Sequence, residues 1–169
     1  MSRKKIILIT GSNGEIGQNL IDHFSKSSST PILSLDLQPS KDESNVYKHL
    51  VGSILDDVIL DDINSDFEIE EIYHLAAMLS TKSEINPISA HNINVNGTLK
   101  LIDLAIKQAI MNNSPVKFFF PSSIAVYGDI KNADTPIKEN EFLNPSTIYG
   151  MNKLYCEQLG VYFSKNYHH

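Results

Sequence analysis

The run Lys5–Thr10 is aliphatic without polar alternation and stops abruptly at Gly11-Ser12-Asn13-Gly14-Glu15-Ile16-Gly17. An apolar stretch this short, with no polar face, is the pattern of a strand buried on both sides of a parallel sheet. Beyond the glycines, Ile16, Leu20, Ile21 and Phe24 fall at helical spacing, so Glu15 to Ser28 is predicted to be a helix. Glycines between a strand and a helix let the backbone turn sharply and approach a diphosphate, while the helix N-terminus supplies amide donors and a favourable dipole. Gly11, Gly14 and Gly17 are therefore assigned to phosphate approach and close helix packing, with Asn13, Glu15 and Ile16 beside them as candidate dinucleotide contacts. An ordinary glycine turn is the alternative, and the strand and helix around the cluster argue against it.

The same alternation continues along the chain. Ile32 to Asp36 reads as a second strand closed by the loop at Pro39, and Val46 to Val51 as a third. Ser53 is expected to cap an apolar-periodic stretch from Ile54 to Ile63, and Glu70 to Leu75 is a fourth strand. One long helix is predicted from Pro87 or Ala90 to about Met111, ended by Asn112-Asn113-Ser114-Pro115. Val116 to Phe120 is a fifth strand, and Pro145 to Tyr167 contains the last helix. Strands alternating with helices predict an α/β fold, a Rossmann-type doubly wound parallel sheet with right-handed crossovers, as one domain spanning 1–169. Gly128 to Asn144, rich in charge, proline and asparagine, is the longest expected loop and the place for an active-site loop.

Composition excludes several function classes. At 169 residues, 41% hydrophobic and 20% charged, the chain fits one domain with a real core. A net charge of -6 argues against a nucleic-acid surface, which needs clustered lysine and arginine. No apolar run approaches the length of a signal peptide's core or a membrane span, so the expectation is a cytoplasmic protein with no membrane role. One cysteine, Cys156, rules out an internal disulfide or a thiolate zinc cluster, and it reads as a packed thiol. No metal is expected.

Asp36 closes the second strand, where a carboxylate can hydrogen-bond both adenosine ribose hydroxyls and repel a 2'-phosphate. With Leu37 beside it and no arginine following, it favours NAD over NADP. Ser53 and Ile54, after the third strand, occupy the usual place of adenine contact. At the other end of the chain, Tyr149 and Lys153 are four apart on a predicted helix and so share a face. A free tyrosine ionises near pH ~10, and a fixed cation beside it would favour the phenolate a general base needs. Taken alone, this YxxxK spacing is more often an exposed pair on an amphipathic helix.

With these residues in hand, the chain resembles the extended short-chain dehydrogenase/reductase family, also described as NAD-dependent epimerases and dehydratases. Thr10 to Gly17 is similar to its TGxxGxxG, His74-Leu75-Ala76-Ala77 to HxAA, Asn94 to Thr98 to NVxGT, Ser122 to Gly128 to SSxxVYG, and Tyr149 to Lys153 to YxxxK. Within the family, the runs Ile72 to Ser80, Asn86-Pro87, Pro121 to Gly128 and Pro145 to Gly150 look most like the short-chain type of L-threonine 3-dehydrogenase. Sugar-nucleotide epimerases and dehydratases share most of the framework, and a non-catalytic dinucleotide-binding module is a third possibility.

The resemblance implies roles. Ser123 would hold the substrate oxygen, Tyr149 would take the proton from the hydroxyl of L-threonine as hydride leaves C3 for NAD, and Lys153 would hold the nicotinamide ribose. Leu75, Ala76 and Ala77 would pass close to the cofactor, and Ser80 would contact the substrate. His74 would satisfy a strand end, and Asn94 would brace the fourth strand. A small-molecule substrate is the expected partner, with a homodimer possible through the two long helices. Family members are much longer, so the resemblance implies that a sixth strand and a substrate domain lie outside this sequence. That leaves an apolar sheet edge, and weak NAD binding with little turnover is expected of this chain alone. His168 and His169 carry no assigned chemistry.

Overall fold

The computed structural model describes residues 3–129 and 136–167; part of the expected loop from Gly128 to Asn144, and His168 with His169, lie outside the described residues. The chain divides into two compact units. Of the described residues, the first comprises 3–76, 97–121 and 167, and the second 77–96, 122–129 and 136–166.

The first unit holds the whole sheet. Strands β1 (Lys4–Thr10), β2 (Ile32–Asp36), β3 (Lys48–Val51), β4 (Phe67–His74) and β5 (Lys117–Phe119) lie in the order β3-β2-β1-β4-β5. Every pairing is parallel. Alternate residues of β1 feed two cores, as the two-residue period of a strand requires. Ile6 and Leu8 join Leu33, Leu35, Ile69 and Ile72, packed by Leu60 and Ile63 of α2 (Asp57–Asp66) and by Leu101, Leu104 and Ala105 of the later helix Gly97–Asn112. Ile7 and Ile9 join Ile32 and Tyr73, packed by Leu20, Ile21 and Phe24 of α1 (Glu15–Ser27). Helices on both faces of a parallel sheet are what the alternation of elements predicted.

Several boundaries differ from expectation. β4 begins three residues earlier than predicted, at Phe67. Its opening Phe-Glu-Ile-Glu-Glu looks half polar, but Gln108, fully buried, holds it in place. The Gln108 Oε1 accepts from the Ile69 amide at 3.0 Å, and its Nε2 donates to the Phe67 carbonyl at 3.1 Å. The helix predicted from Ile54 starts at Asp57, and its cap is Asp56, whose carboxylate accepts from the Val58 and Ile59 amides. Ser53 instead closes a turn, accepting from the Leu55 amide at 3.1 Å.

The second unit is helical. It contains α3 (Ser80–Ile85), α4 (Pro87–His91), a π-helical turn Asn92–Asn96, a 3-10 turn Ile124–Tyr127 and α6 (Ile148–Asn166). The long helix expected from Pro87 to Met111 is therefore α4, the π turn and α5 (Gly97–Asn112) in succession. The helix α3 was not foreseen, since its six residues carry no apolar period.

Candidate functional site

In the first unit, the glycine loop is shaped by contacts that exclude side chains. Gly11 has a φ of 68°, a left-handed conformation that L side chains rarely adopt, and a Cβ there would lie 2.6 Å from the Ala76 amide nitrogen. A Cβ on Gly17 would lie 2.6 Å from the Gly11 carbonyl oxygen. No side chain caps α1, whose N-cap is Gly14, so its first-turn amides are donors of the kind that bind a diphosphate. The Ser12 Oγ, in the same loop, is buried and has no hydrogen-bond partner. An orphaned hydroxyl is costly unless something completes it. The loop therefore fits a dinucleotide diphosphate.

Asp36 fastens the loop. Its carboxylate accepts from the Asn13 amide at 3.0 Å and from the Gln38 amide at 3.2 Å. The Asn13 side chain donates to the Gln38 carbonyl at 2.8 Å and the Pro39 carbonyl at 3.3 Å. Carboxylate oxygens have further lone pairs, so ribose hydroxyls can still be received there. Leu37 is 64% exposed and Ile16 59% exposed, while Glu15 and Gly14 also face solvent. Leu75 and Ala76 run beside Gly11, each packed on a core cluster.

Ile54 lies within the first unit. Its side chain is only 5% exposed and fills the space over Gly97, where a Cβ would come within 2.4 Å of Ile54 Cδ1. It is packed in the core. His74 satisfies the strand end as expected: Nδ1 lies 2.9 Å from Thr10 Oγ1, and Nε2 lies 2.9 Å from Thr98 Oγ1.

The second unit carries Ala77, Ser80, Ser123, Tyr149 and Lys153. Tyr149 and Lys153 share one face of α6, with the Lys153 Nζ 5.6 Å from the Tyr149 ring centroid. Glu84 of α3 accepts the Tyr149 amide at 3.3 Å, and a Cβ on Gly150 would meet the Ala125 carbonyl oxygen at 2.4 Å. These contacts seat the first turn of α6 against α3 and the 3-10 turn. The Ser123 hydroxyl oxygen accepts from the Ala125 amide at 3.2 Å, capping the 3-10 turn, and the side chain remains half-buried. Ser80 is exposed in the first turn of α3.

Asn94 braces backbone, though beyond β4 rather than within it. Its Oδ1 accepts from the Met78 amide at 2.7 Å, and its Nδ2 donates to the Met78 carbonyl at 3.0 Å. Cys156 is buried, its thiol donating to the Asn94 carbonyl at 3.3 Å, consistent with a packing role.

Electrostatics runs opposite to the simplest expectation. Burial raises the Tyr149 hydroxyl above its ordinary value of 10.0, and Lys153 is not among the causes of that shift. Burial pushes the Lys153 ammonium below its ordinary value, with the charges of Cys156 and Glu157 opposing that fall. Desolvation disfavours the charged form of either group, and it is the largest cause of both shifts. Ser12 and Glu157 were not singled out from sequence. Ser12 stands inside the glycine motif, and its lack of a partner emerges only from the packing around it.

Among the described residues, no group of histidine, cysteine and carboxylate side chains could hold a metal ion, and no helix is long and apolar enough to cross a membrane.

Residues 8–169 match the family described as GDP-mannose 4,6 dehydratase. An uncharacterized epimerase/dehydratase of Staphylococcus aureus strain USA300 is 30% identical over 167 residues, covering 96% of this chain and 50% of that protein. Among solved structures, a monomeric L-threonine 3-dehydrogenase from a metagenome database superimposes with a TM-score of 0.80 at 35% identity, over 95% of this chain and 50% of that one. A UDP-glucose 4-epimerase from Thermotoga maritima, solved with UDP-glucose, gives a TM-score of 0.81 at 28% identity, over 96% of this chain and 52% of that one. The chain spans about half the length of the curated relatives it matches.

Proposed function

This chain belongs to the family described as GDP-mannose 4,6 dehydratase, and on that premise we propose that it is the NAD-binding, proton-transferring part of an oxidoreductase acting on L-threonine. The observation that carries the chemistry is the Tyr149–Lys153 pair on one face of α6, with a lysine that is 5% exposed and its Nζ 5.6 Å from the phenol ring centroid. A buried lysine there is costly to the fold, and a role in the reaction accounts for its retention. The choice of L-threonine rests on the motif runs of the sequence and on the likeness to L-threonine 3-dehydrogenases.

In this reading, residues of the first unit receive the adenosine diphosphate: Gly11, Gly14 and Gly17 by backbone approach, Ser12 by its hydroxyl, and Asp36 at the ribose. Bound NAD supplies the hydride acceptor. Tyr149, as its phenolate, takes the proton of the substrate hydroxyl while the carbon beneath loses hydride, giving 2-amino-3-ketobutyrate. Lys153 is assigned to the nicotinamide ribose, and Ser123 holds the reacting oxygen. Ser80 is assigned to the substrate's amino or carboxylate group, and Ala77 to cofactor packing.

Calorimetric titration with NAD and NADP, followed by NADH absorbance with L-threonine, tests the proposal. NAD is expected to bind and NADP to be rejected. A preference for NADP would refute the role of Asp36, and conversion of a UDP-sugar in place of L-threonine would refute the substrate.

The likeness to a UDP-glucose 4-epimerase favours one second reading, a sugar-nucleotide enzyme that reduces and reoxidises NAD within a cycle. Conversion of a UDP-sugar without net NADH would select it.

A further inference from the structure

Tyr149, Lys153 and Glu157 recur at every fourth position of α6, which stacks all three on one helix face. The outermost of them is anchored from a separate segment: the Ser122 hydroxyl donates to the Glu157 Oε1. Ser122 adjoins Ser123, whose side chain caps the 3-10 turn. One carboxylate thus connects the helix of Tyr149 and Lys153 with the segment that carries Ser123.

The charges around Lys153 single out the same residue. Burial disfavours its ammonium, and the two groups opposing this are Cys156 and Glu157. Cys156 is a buried thiol donating to a carbonyl, and an ordinary thiol is protonated at neutral pH. Glu157, on the helix face of Lys153 and held by Ser122, is the carboxylate of the two. The elements packed on α6 in this unit are α3, α4, the π turn and the 3-10 turn. Their charged and titratable groups are Lys82, Glu84, His91 and Tyr127. Glu84 receives the Tyr149 amide, and the His91 Nδ1 lies 3.1 Å from Asn152 Oδ1.

We propose that Glu157 is a positioning residue of the site: anchored by Ser122, its carboxylate seats the Lys153 ammonium beside Tyr149 and ties the Ser123 segment to the same helix. The inference rests on the reading of Tyr149 and Lys153 as the proton-transfer pair. Removing the anion would leave the pair in place but turn Lys153 neutral at a lower pH, withdrawing the cation that supports the phenolate.

The test is a carbon-13 NMR titration of the lysine ε-carbons in the full chain, with the Lys153 signal assigned by its loss in Lys153→Arg. In Glu157→Gln, which keeps an acceptor for Ser122, the Lys153 midpoint is expected to fall by about one unit, the effect of one charge a helical turn away at intermediate dielectric. The signals of Lys26 and Lys107 should stay where they are. Ser122→Ala, which leaves the carboxylate but frees it, should lower the midpoint by less, and it carries the test if Glu157→Gln does not fold. A purely structural Glu157 would lower thermal stability without moving the Lys153 midpoint, and an unmoved midpoint in the folded variants overturns the proposal. NAD calorimetry run in parallel separates the failures. Absent NAD binding sinks the oxidoreductase reading and leaves the Lys153 result standing, whereas intact binding with an unmoved midpoint sinks the role of Glu157 alone.

Discussion

Replacing Tyr149 by phenylalanine removes one oxygen and leaves the ring that packs beside Lys153, so fold and cofactor affinity should survive while proton transfer does not. The expected loss in threonine-dependent NADH formation is about 10²- to 10⁴-fold, read by absorbance, and unchanged activity would remove Tyr149 from its role. Lys153 makes a different prediction, because burial lowers its proton affinity in the folded state. The unfolded chain then binds more protons as pH rises through the folded value toward the ordinary 10.5, so stability contributed by this residue rises over that window. Tyr149, held protonated by burial, has the opposite sign and stabilises below its ordinary value, with the benefit lost as pH climbs through the folded value. Lys153→Met should therefore be most favourable relative to the parent at the acidic end of the range and lose that relative advantage as pH rises toward the ordinary 10.5, measured by urea unfolding. A difference independent of pH would contradict the depressed ammonium. The spacing of Tyr149 and Lys153, and the carboxylate at Asp36, were legible because each is a local pattern on one element. The Ser12 hydroxyl and the Ser122–Glu157 bond were not, since burial and pairing depend on segments far apart in sequence.

At the scale of elements, local chemistry set most strands and helices, and long-range contacts set their ends. Strand β2 coincides with its aliphatic run, but β4 extends back through an acidic stretch only because the Gln108 amide pairs with its backbone. The cap of α2 shows how two acceptors compete. Ser53 precedes the apolar period and resembles a cap, yet the cap falls three residues beyond it, at Asp56, which offers a charged acceptor to two amides. Asp56→Ala should cost about 1 kcal/mol in chemical denaturation, in the usual range for a lost cap, and Ser53→Ala clearly less. Equal losses would mean that the turn at Ser53 matters as much as the cap. The π turn Asn92–Asn96 was hidden for a related reason, because apolar residues on either side keep a helical rhythm through it. Asn94 sits at its centre and receives both backbone groups of Met78. Asn94→Leu would strand the two part-buried backbone groups of Met78, at no more than about 1–3 kcal/mol apiece, a loss visible as a lowered urea midpoint.

For the molecule as a whole, the parallel order β3-β2-β1-β4-β5 follows from the alternation of strands and helices, and right-handed crossovers leave few other arrangements. What that order also fixes is which strands lie outermost, and a sequence pattern says little about it. Strand β5 is an outer strand of three residues, paired with β4 on one side only among the described residues. Its Phe119 is 43% exposed and packs its ring 5.5 Å from that of Tyr73, while Lys117 pairs with Glu71 at 3.2 Å. The charge at Lys117 is the sort of residue that discourages edge-to-edge pairing, but the aromatic two positions on works against it. A short edge with one gatekeeper and an exposed ring should pair weakly with another copy. Sedimentation velocity of the chain at roughly 100 µM, a range where exposed edges associate, should show reversible self-association. Phe119→Lys places a second charge on the edge, removes the apolar surface beside Tyr73, and should return the chain to a monomer without altering NAD affinity. A parent chain that sediments as a monomer at this concentration, or association that persists in Phe119→Lys, would show that the β5 edge is not the surface at work.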